Sequence, residues 1–140
     1  MKNKEYELAR QVLTLANQIL KSRNKHLKEL NITAEQADSL MFFYFNEDKS
    51  ISDLKEHLHI RHQTARGIVK RLEEKGFLKL SVAESDGRYK MVSLTEEGIH
   101  IVEHLKQNGT HTGYRLLSGM KKTEQEQFSI LIEKALKNME

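Results

Sequence analysis

Cysteine is absent from all 140 residues, so this chain forms no disulfide, no thiolate metal site and no thiol redox sensor. The sequence also has no apolar run near the roughly 18 residues that span a membrane, and its N-terminus does not resemble a signal peptide. We therefore expect a cytoplasmic protein that has no contact with a membrane.

Signatures of catalysis are missing as well. The seven glycines form no phosphate-binding loop, and no serine, histidine and aspartate stand in a recognisable catalytic grouping. The sequence therefore predicts neither an enzyme nor a bound cofactor.

Acidic residues are missing from residues 57–72, although the whole chain has 23 Lys or Arg and 20 Asp or Glu. Residues 55–90 hold nine Lys or Arg against five Asp or Glu, a net charge of +4, and the remainder of the chain carries −1. A basic centre between nearly neutral flanks indicates that the centre meets a polyanion.

The acid-free segment has the periodicity of a helix. An apolar stripe repeats at i, i+3, i+4 and i+7, which predicts a helix with its back in a core; its members are Ala65, Ile68, Val69 and Leu72. Gln63, Arg66, Gly67 and Lys70 point the opposite way. A single charged helix face is more often simply solvated. Glutamine and threonine can however bond base edges, and a glycine within a helix costs roughly 1 kcal/mol but allows close approach.

The neighbouring patterns predict a winged helix-turn-helix, in a mainly α fold with a small β-hairpin wing. Residues 51–58 are expected to form a short helix that precedes the recognition helix, Arg61–Lys75, and Lys75-Gly76 is a typical helix end. Alternating polarity from Leu78 to Val82, an Asp-Gly turn and a short strand from Tyr89 to Leu94 predict the hairpin.

Helices flank this centre on both sides. Helical spacing predicts a first helix at about 5–29 and a second at about 34–46, which a capping box of Thr33 and Gln36 opens. Thr95 is expected to cap a helix after the hairpin. Thr123 and Glu126 form the capping box that we expect to open the last helix.

This order of elements resembles the MarR family of bacterial transcription regulators. The segment from Leu72 to Leu78 resembles the family's passage from recognition helix to wing. Asp86-Gly87-Arg88 is similar to the family's wing-tip Asp-x-Arg, and residues 92–98 are similar to its Leu-Thr-x-x-Gly helix start. The likeness covers nearly the whole chain.

The resemblance implies a homodimer that binds a palindromic operator in double-stranded DNA. It implies one domain, 1–140, with a winged helix-turn-helix lobe at about 33–94 and a dimerisation lobe from about 1–32 and 95–140. Arg88 matches the arginine that enters the minor groove, and Asp86 matches the acid that supports the wing. A cation on a rigid hairpin suits the minor groove, where the potential is most negative.

We assign the DNA contacts by residue type and position. Residues in the first turns of the recognition helix are expected to contact bases, namely Gln63, Thr64 and Arg66. The remaining cations are expected to hold phosphates, namely Lys70, Arg71 and Lys90. Arg61 stands where a small N-capping residue would be usual, and it too is assigned to a phosphate. We expect a repressor that a small-molecule effector releases.

Three alternatives stay open at this point. Phe42, Phe43 and Tyr44 line an effector pocket for a small aromatic ligand, or they pack in a core or dimer interface. His100 and His104, at i and i+4, are zinc candidates for a zinc-responsive regulator, although no partner ligand is fixed. The basic face could also belong to a winged-helix module that binds an acidic protein.

Overall fold

The computed structural model describes residues 3–83 and 86–140, without the side chains of residues 83–89. This part of the chain has the predicted architecture, helices with one antiparallel hairpin. Its elements are α1 (Lys4–Glu29), α2 (Ala34–Phe45), α3 (Ile51–Leu58), α4 (His62–Glu74), β1 (Leu78–Ala83), β2 (Asp86–Leu94), α5 (Glu96–Leu117) and α6 (Lys122–Asn138).

The chain divides into two compact units, residues 1–108 and residues 109–140. The first unit holds α1 to α4, the hairpin and the beginning of α5, and the second holds the rest of α5 and α6. The lobe boundaries at about 33–94 stay predictions. Among the helices that the structure describes, none is both long and apolar enough to cross a membrane.

The main core of the first unit lies where α2, α3, α4 and the hairpin meet. Its apolar members are buried side chains from each of these elements, with Val102 from α5: Leu40, Phe42, Phe43, Leu54, Ala65, Ile68, Val69, Leu72, Leu78, Val92 and Val102. The four residues of the predicted stripe of α4 are all among them, so the prediction of its buried back is confirmed. Their burial holds the opposite face of α4 outward.

The end of α4 is a Schellman motif, as Lys75-Gly76 predicted. The Gly76 N–H donates to the carbonyl of Glu73 and the Phe77 N–H to that of Leu72, both at 2.9 Å. Gly76 has φ +84°, a left-handed conformation that glycine adopts without a Cβ penalty. These bonds turn the chain sharply from the recognition helix into the first strand of the wing.

The wing is a hairpin in regular antiparallel register from the pair Leu78 and Leu94 to the pair Val82 and Lys90. The register shifts after Val82. Val92 of β2 also donates its N–H to the carbonyl of Lys49 at 2.8 Å, just before α3. The hairpin is therefore anchored on the helix-turn-helix at its base.

The helix starts test the capping predictions. Thr33 and Gln36 form the predicted box, with bonds of 3.1 and 3.2 Å. Thr95 accepts from the Gly98 N–H at 3.1 Å, as a cap of α5 should. The box predicted at Thr123 and Glu126 is wrong.

The last helix begins earlier than that box requires. Its first residue is Lys122, and the Glu124 carboxylate accepts from the Lys121 N–H at 2.8 Å. Glu124 stands three residues after Lys121, so this bond starts the helix two residues earlier than the bond predicted between Glu126 and Thr123. Glu124 and Glu126 could each close a capping box, at two different helix starts. The helix uses the earlier start, which makes it longer.

Candidate nucleic-acid interface

The outward face of α4 carries the residues predicted to contact DNA. Arg61 and five residues of the helix are exposed: Gln63, Thr64, Arg66, Lys70 and Arg71. The apolar stripe directly behind them is fully packed. The helix is thus fixed in the core by one side and presents hydrogen-bonding and cationic groups on the other.

Two grooves flank this face. The wing-side cleft lies between α4, the first turn of α3 and the hairpin, and α4 lines it with Gln63, Arg66 and Lys70. Lys90 of β2 lines the same cleft from the wing, and Glu73 is the one acid on its wall among the described residues. Three predicted contacts of the recognition helix and the predicted contact of the second strand therefore line the same cleft.

The second groove, on the α2 side, separates α4 from the first turn of α2. Thr64 and Arg71 line it from α4, together with Ile68. Gly67 lines both this groove and the wing-side cleft, so it lies at the crest between them. The helix surface shared by the two grooves therefore has no side chain at residue 67.

The electrostatics of α4 favour an anionic partner. Its first turn contains no acidic residue, whereas each of the other five helices has one there. The ion pairs that the described residues form are Arg23 with Asp38, at 2.7 Å, and Lys55 with Glu56, at 3.5 Å. The cations of α4 thus have no carboxylate partner in the described part of the chain, and the positive end of the helix dipole is not offset.

Arg61 is the N-cap residue of α4, and its side chain makes no capping hydrogen bond. The first N–H groups of a helix without a cap need acceptors from outside the helix. A phosphate oxygen is a suitable acceptor at this position. The departure noted in the sequence is therefore real, and it leaves donors at the start of the recognition helix.

Two predicted wing residues cannot be placed in this site. Asp86 and Arg88 belong to β2, but their side chains lie outside the described part of the structure. Their roles in supporting the wing and in the minor groove stay predictions.

Ser52 is exposed in the first turn of α3 and lines the wing-side cleft, although the sequence patterns did not predict it as a site residue. Its position two residues after the Ser50 cap is the signal that could have found it.

The aromatic cluster of α2 divides between core and surface. Phe42 and Phe43 are buried and meet edge to face at 5.2 Å, and His57 lies over the Phe42 ring at 4.6 Å. Tyr44 is half-buried, with the Lys106 ammonium 5.4 Å from its ring centre. The assignment of these three aromatic residues to an effector pocket stays a prediction.

The histidine pair of α5 is exposed. His100 and His104 lie one turn apart on the helix surface. Among the described residues, no group of three His, Cys, Asp or Glu is arranged to hold a metal ion. Zinc-responsive regulation therefore gains no support from the described arrangement.

Comparisons with known proteins agree with this architecture. A model of the MarR family matches residues 30–88, from the end of α1 into β2. YybA of Bacillus subtilis (strain 168), an uncharacterized HTH-type transcriptional regulator, is 28% identical over 134 residues, which cover 96% of this chain and 89% of YybA.

Solved structures share the fold over most of the chain. Apo wild-type MarR from E. coli superposes with a TM-score of 0.75 at 25% identity, over 92% of this chain and 96% of MarR. The S. aureus MepR–DNA complex gives a TM-score of 0.76 at 23% identity, over 91% of this chain and 96% of MepR. The winged helix-turn-helix and its helical flanks are thus common to all three.

Proposed function

Because this chain belongs to the MarR family, we propose that it is a homodimeric regulator of transcription that binds a specific palindrome in double-stranded DNA. YybA is an HTH-type transcriptional regulator, and MepR forms a complex with DNA. The observation that carries the proposal is the exposed face of α4, whose cations have no carboxylate partner among the described residues and which two grooves flank.

An exposed helix face of this kind suits a major groove. A groove about 12 Å wide admits one α-helix, whose side chains then reach base edges while its flanks meet the two phosphate backbones. Gln63, Thr64 and Arg66 lie in the first two turns and are assigned to bases. Lys70, Arg71, Lys90 and Arg61 flank them and are assigned to phosphates, and Arg88 to the minor groove.

The dimer follows from apolar surface that the chain itself does not cover. Residues 109–140 are all described, and none of them is buried. The final helix nevertheless exposes four large apolar side chains: Ile130, Leu131, Ile132 and Leu136. An amphipathic helix is stabilised mainly by packing of its apolar face, so this unit needs cover from a second chain.

A dimer would also bind DNA more tightly than one subunit can. One recognition helix and one wing bury too little surface for tight specific binding, whereas two copies read two half-sites about one helical turn apart. An occupied operator excludes other proteins from the same DNA, so we propose repression as the outcome. An effector that prefers one separation of the recognition helices would release the repressor, by no more than that preference.

Selection of bound duplexes from a random pool tests the proposal. The expected result is enrichment of a palindrome with half-sites about one helical turn apart. Repetition with Arg88→Ala should weaken or remove sequence preference where the minor groove is read. Enrichment of no sequence would contradict the proposal and would favour an acidic protein partner for the same face.

Release by an effector is tested separately. A panel of phenolic acids is titrated against the protein bound to the selected palindrome, with DNA affinity and melting temperature as readouts. An effector of the proposed class lowers DNA affinity and raises the melting temperature of the free protein. If no member of the panel changes either quantity, release by small aromatic ligands is wrong, while DNA binding stands.

A further inference from the structure

Lys75 links the end of the recognition helix to the end of the first helix. Its ammonium donates to the carbonyl oxygen of Asn31 at 2.7 Å and to Oε1 of Gln36 at 3.0 Å. Asn31 and Gln36 lie 44 and 39 positions before Lys75 in the sequence. These are side-chain bonds over a long sequence separation, and they join α4 to both α1 and α2.

Asn31 is itself the left-handed residue that follows Leu30, the C-cap of α1. It has φ +58°, and its N–H donates to the carbonyl of Lys28 while the N–H of Ile32 donates to that of Leu27, which is a Schellman motif. Since α4 ends in the same motif, the ammonium of Lys75 lies where two helix C-termini meet. A cation is favoured at each of these ends by the helix dipole.

Gln36 makes the second bond specific. It is buried, with 5% of its surface exposed, and its Oε1 also accepts from the N–H of Thr33 in the capping box of α2. One amide oxygen thereby joins the start of α2 to the end of α4. The nearby apolar contacts of Leu27, Ile32 and Ala37 are less directional, because hydrophobic contact depends on area and hydrogen bonds depend on angle.

The residues after Lys75 are held by the start of α5. The Thr95 hydroxyl donates to the carbonyl oxygen of Gly76, and the Thr95 N–H donates to that of Phe77. The backbone of Gly98 packs so closely on Phe77 that a Cβ there would overlap its carbonyl oxygen. Residues 75–77 are thus fixed between the end of α1 and the start of α5.

We propose that Lys75 is a positioning residue that sets the orientation of the recognition helix relative to α1, and through it the half-site spacing that the dimer accepts. The proposal rests on the proposed function, in which α1 belongs to the dimerisation lobe. Two-fold symmetry makes any rotation of α4 against α1 occur in both subunits. A small rotation therefore changes the separation of the two recognition helices twice over.

The test compares four proteins: wild type, Lys75→Met, Lys75→Arg and Lys25→Met. Methionine keeps an apolar stem and removes the ammonium, arginine restores the cation, and Lys25 is an exposed lysine of α1 that controls for the loss of one charge. Each protein is titrated with the selected palindrome and with versions whose central spacer is one or two base pairs longer or shorter. A second series changes single bases inside one half-site.

Lys75→Met should lose about tenfold of the affinity ratio between the best spacer and its neighbours, because it removes two hydrogen bonds made by a charged donor. The ratios between bases inside a half-site should not change, since the face of α4 is intact. Lys75→Arg should keep most of the spacing preference, and Lys25→Met should keep all of it. A Lys75→Met protein with an unaltered spacing preference, or with altered base ratios, contradicts the positioning role.

Amide hydrogen exchange tests the same link without DNA. In Lys75→Met, exchange at Thr33 and at residues 75–77 should accelerate about tenfold more than exchange in the main core, because the ammonium that joins Gln36 to the end of α4 is lost. Equal exchange in Lys75→Met and in Lys25→Met would overturn the inference. If wild type selects no DNA sequence but exchange changes as expected, the link stands and the proposed function fails.

Discussion

Gly67 is a residue for which the fold itself gives no reason. Apart from its two chain neighbours and the backbone of its own helix, no described atom lies within 4 Å of the position that a Cβ on Gly67 would take, and its backbone is not left-handed. A glycine here costs α4 roughly 1 kcal/mol relative to alanine. The proposed function accounts for this cost if a base pair approaches the crest between the two grooves closely, because a methyl group at Gly67 would separate the helix from the DNA groove.

Gly67→Ala should therefore stabilise the free protein by about 0.5–1 kcal/mol and weaken operator binding by roughly tenfold, or 1.4 kcal/mol. Urea denaturation and DNA titration measure the two effects. Gly109→Ala is the matched control, since Gly109 is also helical with open space around it among the described residues. The control should gain stability without loss of DNA affinity. A Gly67→Ala protein that behaves like the control would contradict the close approach of DNA to residue 67.

Arg66 and Lys70 line the same cleft but are assigned different targets. Arg66→Ala should relax base preference by about 1–3 kcal/mol at one position, because a guanidinium binds a base edge through two donors. Lys70→Ala should weaken all sequences alike and lower the slope of log affinity against log salt by about one. Titrations of matched and mismatched duplexes at several salt concentrations separate these outcomes. Identical behaviour of both variants would show that the division between base and phosphate contacts is wrong.

At the scale of elements, the junction of wing and α5 depends on the bare backbone of residue 98. Gly98→Ala should destabilise the protein by about 1–3 kcal/mol, because the added methyl meets a backbone carbonyl that hydrogen bonds hold in place. Gly113→Ala, later in the same helix and in open space among the described residues, should be neutral or stabilising. Urea unfolding curves for both variants test this. Equal unfolding midpoints for Gly98→Ala and Gly113→Ala would mean that the backbone at Phe77 shifts to accept the methyl group without loss of stability.

Elements were predictable wherever their signal is local. The apolar stripe of α4, the Thr33 box and the Gly76 turn each depend on residues within one or two turns, and each is confirmed. The start of α6 was missed because Glu124 and Glu126 give competing local signals. The bonds of Lys75 were not predictable, since only the folded chain brings Asn31 and Gln36 to its ammonium.

The candidate site was predictable in type rather than in geometry. Residue type and helical phase predicted the cationic face of α4, and Lys90 was predicted as a phosphate contact by its charge alone. The assignment of Arg71 and Thr64 to one groove and of Arg66 and Lys70 to the other required the packing of α2 and the wing on either side. Ser52 and the contact of His57 with Phe42 were likewise accessible only through that packing.

At the scale of the whole molecule, α1 carries more apolar surface than one chain covers. Val12 is 54% exposed, with Leu8 and Leu15 on the same side of the helix, and Leu13 is 55% exposed, with Tyr6 and Leu20 on another side. At 100° per residue, Thr14 falls between these two sides. A helix with two exposed apolar sides is best explained by burial against a second copy, as is the uncovered face of α6.

Val12→Glu should therefore shift the protein from dimer to monomer, because an unpaired carboxylate in an apolar interface costs several kcal/mol, whereas the same charge on a monomer surface costs little. Sedimentation velocity across a concentration series measures the shift, and operator affinity should fall with the loss of the second half-site. Thr14→Glu adds the same charge between the apolar sides and should leave the dimer intact. A wild-type protein that sediments as a stable monomer would contradict the proposed dimer and, with it, the proposed palindromic binding site. Dissociation by both variants would mean that charge, rather than the apolar side at Val12, controls association.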